Sequence, residues 1–250
     1  MTRDTTPAAL PTASVEDLQK LLPSVRHVLW DLDGPICRLF AVHSAPGIAK
    51  ELLHVIHEAA RVGKLEVPVL PKRSLDDPHA MLVAINHSWP GTEQVVELEQ
   101  WLTAQELIAA DSALMTSHVE PLIHRWGGSL GVPFAVSTNN SGQAAAKFLA
   151  TAELDGFFPY VCGRTSDLSL MKPHPHTLLV ALAALRADPS LALMIGDAPT
   201  DYRAAKRAGV AFLGYADSPH KVAKLRRAGV RSSRIVTSLK EIWAALDSQE

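Results

Sequence analysis

Val25-Arg26-His27-Val28-Leu29-Trp30-Asp31-Leu32-Asp33-Gly34 is a compact apolar run that stops at two carboxylates and a glycine. The stretch through Val28-Leu29-Trp30 reads as a buried strand, and Asp31 to Gly34 as the turn that ends it. Beyond Ala135 the same unit alternates with helical segments. Strand candidates are Phe134-Ala135-Val136, Tyr160-Val161-Cys162, Leu191 to Ile195, Val210 to Leu213 and Ile235-Val236. Helical stretches lie between them, over Ser141 to Thr151, Pro175 to Ala187, Pro199 to Ala208 and from Ser218-Pro219 to Gly229, and Ser238 with Glu241 opens a last helix. Arg-Ala-Gly-Val at 207–210 recurs at 227–230, each copy read as the end of a helix and the entry to a strand. Strands regularly separated by helices pair in parallel through right-handed crossovers, so the expected class is α/β, an open parallel sheet with helices on both faces.

Upstream, Met1 to Thr12 is a polar tail containing Pro7 and Pro11, and Ser14 with Asp17 caps a short helix through Leu22. Between Cys37 and about Gly128 the pattern changes. Pro46 to Arg61 and Glu93 to Trp126 carry helical apolar spacing, Val67 to Pro78 holds three prolines and reads as a loop or hinge, and no strand is expected. This is a helical insert after the first strand.

In an open parallel sheet ligands bind at the carboxyl ends of the strands, which directs attention to the polar residues just after each apolar run. Asp31 and Asp33 are two apart and reach one small volume from a turning backbone. With Asp197 they form a set of hard oxygen ligands and no soft ones, suited to Mg2+ bridging carboxylates to a phosphate. Lys172 supplies positive charge, and Thr138 with nearby amides supplies neutral donors for phosphoryl oxygens. Taken singly, these residues have plainer readings as turn formers, helix caps or surface groups. Their order on a matching strand–helix rhythm is what joins them into a phosphoryl-transfer pocket.

Asp31-Leu32-Asp33-Gly34, Thr138-Asn139, Lys172-Pro173 and Gly196-Asp197 with Asp201 occur in the order and spacing of four motifs, with a long helical insert between the first and second. On them the chain resembles the haloacid dehalogenase superfamily, in its phosphatase branch with a helical cap of the first type, similar to phosphoglycolate phosphatases. The resemblance implies a Rossmann-like core over 24–36 and 128–250, an inserted α-helical cap domain over 37–127, and a tail with a short helix over 1–23. It implies that Asp31 attacks phosphorus to form an aspartyl-phosphate, and that Asp33 protonates the leaving alcohol and later deprotonates water. Mg2+ would be held by Asp31, the Asp33 backbone carbonyl and Asp197, with Asp201 supporting the site. Thr138, Asn139 and Lys172 would bind the phosphoryl group. Pro35 departs from the Thr or Val usual after Asp-Gly, and Cys37-Arg38-Leu39-Phe40 replaces the usual acidic start of the cap.

The same scaffold serves phosphomutases, which keep all these residues. Dehalogenases typically lack the aspartate at Asp33, and phospho-accepting receiver modules are shorter and capless. A regulatory descendant that only binds phosphate would have lost the nucleophile or the acid. The expected activity is thus Mg2+-dependent hydrolysis of a small phosphorylated metabolite, with specificity among Arg61, Lys64, Lys72, Arg73, His79, His87 and His118 of the cap. Trp89, Trp101 and Trp126, with Leu98, Leu102 and Leu107, read as cap core.

Composition agrees. At 47% hydrophobic and 20% charged, the 250 residues are those of a globular chain, which excludes wholesale disorder. A net charge of −2 gives no basic excess for a nucleic acid or an anionic membrane. Two cysteines, no signal-peptide pattern and no membrane-length apolar stretch lead to the expectation of a soluble cytoplasmic monomer or homodimer. His54 and His57, and His174 and His176, lack the companion ligands of a histidine metal site.

Overall fold

The computed structural model describes residues 12–63 and 66–247, so nearly all of the expected tail, and Lys64, lie outside the described residues. In chain order it runs α1 (Val15–Leu21), β1 (His27–Trp30), β2 (Cys37–Arg38), α2 (Ala45–Gly63), α3 (Pro78–Ser88), α4 (Glu93–Asp111), β3 (Leu114–Met115) and α5 (Val119–Ile123), which continues as a π-helical turn over His124–Ser129. Then come β4 (Phe134–Ser141), α6 (Gly142–Thr151), β5 (Val161–Arg164), α7 (His176–Leu185), β6 (Ala192–Gly196), α8 (Pro199–Ala208), β7 (Ala211–Tyr215), α9 (Pro219–Arg227), β8 (Ile235–Val236) and α10 (Leu239–Asp247). Capping chemistry sets several of these boundaries. Ser14 and Asp17 make the expected reciprocal pair, Gly209 takes the left-handed conformation after α8, and the Ser238 backbone N–H donates to the Glu241 carboxylate.

Six strands form one sheet in the order β5-β4-β1-β6-β7-β8, every pair parallel. The α/β expectation therefore holds. Side chains alternate across the sheet with a period of two. Val28 and Trp30, Phe134 and Val136, Leu193 and Ile195 face one core, packed under α1, α5, α6 and α10. Leu29, Ala135, Ala192 and Met194 face the other, under α7, α8 and α9. Burial on both faces explains why β1 reads as a nearly unbroken apolar run.

The insert builds a third core. Ile48, Leu52 and Ile56 of α2, Met81, Leu82 and Ile85 of α3, and Leu98 and Leu102 of α4 pack with Trp89, and Leu168 and Met171 reach into them from the loop after β5. Several expectations need correction here. Two strands do occur in the insert: β2 and β3 form an antiparallel ladder, Cys37 opposite Met115 and Arg38 opposite Leu114, too short to leave a period in the sequence. The helical spacing over Glu93 to Trp126 breaks after Asp111, where the chain extends so that the Thr116 hydroxyl can donate to the Gly34 carbonyl at 2.6 Å and its N–H to Ile36 at 3.0 Å. α3 forms beyond the expected loop, over residues for which no element was expected, started by Asp77, whose side chain accepts from the Ala80 N–H. Trp126 does not join the core of the insert. It packs edge-on against Trp30 and Phe134, with ring centroids at 6.5 and 6.1 Å. The second Arg-Ala-Gly-Val copy enters β8 through a 3₁₀ turn over Ser232–Arg234 rather than directly. Among the described residues no helix is long and apolar enough to cross a membrane.

Phe134 meets Trp30, Trp126 and Phe158 with centroids between 5.7 and 6.1 Å and is almost fully buried. Phe134→Ala is expected to cost about 3–5 kcal/mol of unfolding free energy in urea denaturation, because its neighbours come from three separate elements and cannot collapse together into the void.

Candidate active site

The carboxyl ends of β1, β4 and β6 lie side by side, and each carries a polar residue straight out of the sheet. Asp31 is held at the end of β1 by its N–H donating to Ile195 of β6 at 2.8 Å. Asp31, Asp197 and Asp201 bring one oxygen each within 4.8 Å of one another. Lys172, 3% exposed, stands between two of them: its Nζ is 3.0 Å from Asp31 Oδ1 and 2.6 Å from Asp201 Oδ1, and donates to the Ser137 carbonyl at 2.9 Å. Asp31 Oδ1 also accepts from the Leu32 N–H at 2.9 Å. Asp201, at the start of α8, accepts from the Ala198 N–H at 2.9 Å, so it caps the helix as well.

Small residues make this crowding possible. Gly34 has φ +111°, and a Cβ there would stand 2.5 Å from Asp197 Oδ2. A Cβ at Gly196 would stand 2.6 Å from Asp201 Oδ2. Pro35, between them and Cys37, loses nothing by lacking a donor, since the turn is closed by the N–H groups of Gly34, Ile36 and Cys37.

Burial and like charge dominate the electrostatics. Burial, then the charge of Asp201, pushes the Asp31 carboxyl above its usual range, and Lys172 only partly pulls it back. Burial raises Asp197 to about 6 against the pull of Lys221, whose Nζ lies 2.9 Å from Asp197 Oδ2 and 3.2 Å from Asp217 Oδ1. Asp33 is also raised by burial, although the Leu39 N–H donates to its Oδ1 at 2.8 Å and His79 lies near. For Lys172 burial alone would favour the neutral amine, but Asp201 and Asp31 outweigh it and keep the ammonium.

β4 extends further than its apolar residues indicate, through Ser141, and places three polar residues in the site. The Thr138 hydroxyl donates to Asn140 Oδ1 at 3.0 Å and accepts from the Asn140 N–H at 3.2 Å. The Asn139 side chain clasps the backbone of Lys172, accepting from its N–H at 2.7 Å and donating to its carbonyl at 3.1 Å. Behind them Glu106 of α4, fully buried, is paired with Arg164 at the end of β5 and with His79 of α3.

The structure thus brings together all seven residues picked from the sequence. The Asp33 side chain turns toward Leu39, and the side chain of Asn139 is committed to Lys172. Of the cap candidates, His79 approaches the site, while Arg61 is exposed and paired with Glu58, and Lys72, His87 and His118 are exposed. Sequence reasoning missed Lys221, Glu106, Arg164 and Asn140. Arg164 ends β5 and Lys221 lies in the helix after β7, so the strand-end rule could have found them. Glu106 falls on the stripe Leu98, Leu102, Ala109, where a charge is out of place.

The sequence profile of the haloacid dehalogenase-like hydrolases matches residues 25–209. The phosphoglycolate phosphatase of Pectobacterium atrosepticum is 28% identical over 201 residues, covering 77% of this chain and 81% of that protein. The phosphoglycolate phosphatase of Rhodospirillum rubrum is 31% identical over 209 residues, covering 79% and 83%. The crystal structure of a predicted phosphatase from Clostridium acetobutylicum superposes with a TM-score of 0.62 at 17% identity, covering 90% of this chain and 99% of that one, a likeness of fold.

Burial would raise the pKa of Glu106, but Arg164 and His79 outweigh it and bring it from the ordinary 4.5 down to about 2. A folded-state value below the unfolded one means that this contribution to stability is complete above about pH 4.5 and is lost as the pH falls toward 2. Glu106→Gln leaves Arg164 only Glu99 as a charged partner, sets an NH2 among buried donors, and is expected to destabilise the chain by roughly 1–3 kcal/mol at neutral pH. In urea denaturation the gap between the two chains should narrow as the pH drops through that window. A gap that stays level would show that ionised Glu106 does not stabilise the fold.

Proposed function

The chain belongs to the haloacid dehalogenase-like hydrolases, in their phosphatase branch, and from that premise we propose that it hydrolyses a small phosphate monoester through an aspartyl-phosphate on Asp31, with Mg2+. The observation that carries this proposal is Lys172, a buried ammonium held between Asp31 and Asp201 beside Asp197 at the ends of adjacent strands. Leu32 and Lys172 hold Asp31 Oδ1, which aims the other oxygen at an incoming phosphorus. Asp31 forms the new P–O bond as the ester P–O bond breaks, and Asp33 gives its proton to the departing alkoxide. Burial favours the protonated form of Asp33 that this step requires. Ionised afterwards, Asp33 takes a proton from the water that attacks the phosphorus, which releases orthophosphate and restores Asp31. Lys172 and the backbone N–H of Asn139 are assigned to the phosphoryl oxygens, joined by the Thr138 hydroxyl, which turns its one proton from Asn140 Oδ1 to them when the ester binds, and the Asn139 side chain to holding Lys172 in place.

A hard divalent cation fits the donor set. Lys172 pairs with Asp31 and Asp201, and Lys221 is shared between Asp197 and Asp217, so the site with Asp33 carries excess negative charge when all are ionised. Asp31, Asp197 and the backbone carbonyl of Asp33 would hold Mg2+, and Asp201 would steady the site through Lys172. When bound, the ion would offset the charge gathering on the phosphoryl oxygens. Residues 37–127 are assigned as the cap, with α2, α3 and α4 as its body; its Leu39 N–H donates to Asp33, and His79 of α3 lies near that carboxylate.

Phosphoglycolate, the substrate named for the relatives, heads the panel of esters to try. Phosphate release is expected with Mg2+, to be abolished by EDTA, and to fall at least 1,000-fold in Asp31→Asn and in Asp33→Asn. Persistence of turnover in Asp31→Asn would sink the covalent route. An Asp31 adduct formed with acetyl phosphate but not hydrolysed would point to transfer rather than hydrolysis.

A further inference from the structure

We propose that Glu106 is a positioning residue: one carboxylate from α4 of the insert sets the end of β4 after Thr138 and grips His79 of α3, so that the pocket takes its working shape only with α4 in place. For what the pocket does, this inference rests on the phosphatase reading above.

Every contact of Glu106 contributes to that coupling. Its Oε1 accepts from His79 Nε2 at 2.7 Å, from Arg164 Nη1 at 2.9 Å and from Asn140 Nδ2 at 3.3 Å. Its Oε2 accepts from the Ser141 N–H at 2.9 Å and from Arg164 Nη2 at 3.0 Å. An ionised carboxylate can only accept, which settles the orientation of its neighbours. The Asn140 amide must turn its NH2 to Glu106, and that leaves Asn140 Oδ1 facing the Thr138 hydroxyl. The flipped amide would set its oxygen against the carboxylate, which disfavours it, even though the Thr138 hydroxyl could accept from its NH2. Arg164 extends the grip by donating from Nη1 to the Asn139 carbonyl at 2.9 Å. Asn139, Asn140 and Ser141 are thus each tied to Glu106 or Arg164, and Asn139 passes the restraint on to Lys172.

A carboxylate needed only to dock α4 would be served by Arg164 alone, whose Nε and Nη2 already reach Glu99 and Thr103 of the same helix. The further bonds to Asn140 and Ser141 are what a positioning role requires. Glu106→Gln replaces one acceptor by an NH2 that faces the donors on Ser141, Asn140 or Arg164, whichever way it turns.

The test compares Glu106→Gln, Asn140→Ala, Asn140→Ala added to Glu106→Gln, and the double variant Glu106→Gln with Arg164→Met, which removes the guanidinium that would otherwise face the lost charge. Each is assayed at a temperature where circular dichroism shows it folded. With Mg2+ and the preferred ester, Glu106→Gln and the double variant are expected to lose at least tenfold in kcat with KM within threefold. Asn140→Ala should lower kcat in the unaltered chain but by less than twofold when added to Glu106→Gln, because both act through one amide. A kcat within twofold of the unaltered chain in the double variant, or effects that multiply in full, would overturn the proposal. Should the unaltered chain release no phosphate from any ester, the phosphatase reading fails on its own account. Calorimetric binding of orthophosphate in Mg2+ then decides, with at least fivefold weaker binding by the double variant expected and equal affinity overturning the inference.

Discussion

Three carboxylate oxygens confined within 4.8 Å repel one another, and most of the architecture near the sheet's edge answers that repulsion. For two unit charges 4 Å apart the cost is on the order of 4 kcal/mol at an effective dielectric constant near 20. Lys172 offsets it from inside the cluster, and a long flexible side chain can do so only if its backbone is held still. The Asn139 clasp on the Lys172 main chain, the Ser137 carbonyl under the ammonium and the close-fitting glycines at 34 and 196 all serve that end. The negative charge that the ammonium leaves unbalanced is what would draw a cation to the site, and only with that charge offset would a phosphate be welcome there.

The layered sheet was legible because its signals are local. Strand β1 is apolar on both faces, so it reads as a run, and Gly209 and the Ser238–Glu241 pair mark helix ends by short-range chemistry. Asp31, Thr138, Lys172 and Asp197 stood out for a topological reason: Asp31 and Asp197 follow β1 and β6, Thr138 lies in the carboxyl-terminal half of β4, and Lys172 in the loop beyond β5, where a parallel sheet opens to solvent.

What escaped the sequence depends on partners far along the chain. Glu106 and Arg164 are 58 residues apart, and neither residue alone announces an ion pair. β2 and β3 have two residues each, and only the folded chain brings Cys37 opposite Met115. Trp126 looked like part of the insert because helical spacing runs on past Asp111. The helix stops at Asp111, and beyond it Thr116 ties the returning chain to Gly34, so that Trp126 lands beside Trp30.

The β2–β3 ladder also bears on how such a chain could be rebuilt. Both crossings between sheet and insert run through one pair of neighbouring strands, so the segment from 39 to 113 leaves and rejoins the sheet at a single doorway. A segment with adjacent ends can be lengthened, shortened or exchanged without disturbing strand order or register, as domain insertions are. Here the freedom is bounded. A transplanted segment would have to bring a carboxylate to the place of Glu106, or arrive together with a neutral replacement for Arg164, or the host sheet would inherit a buried cation stripped of its counterion.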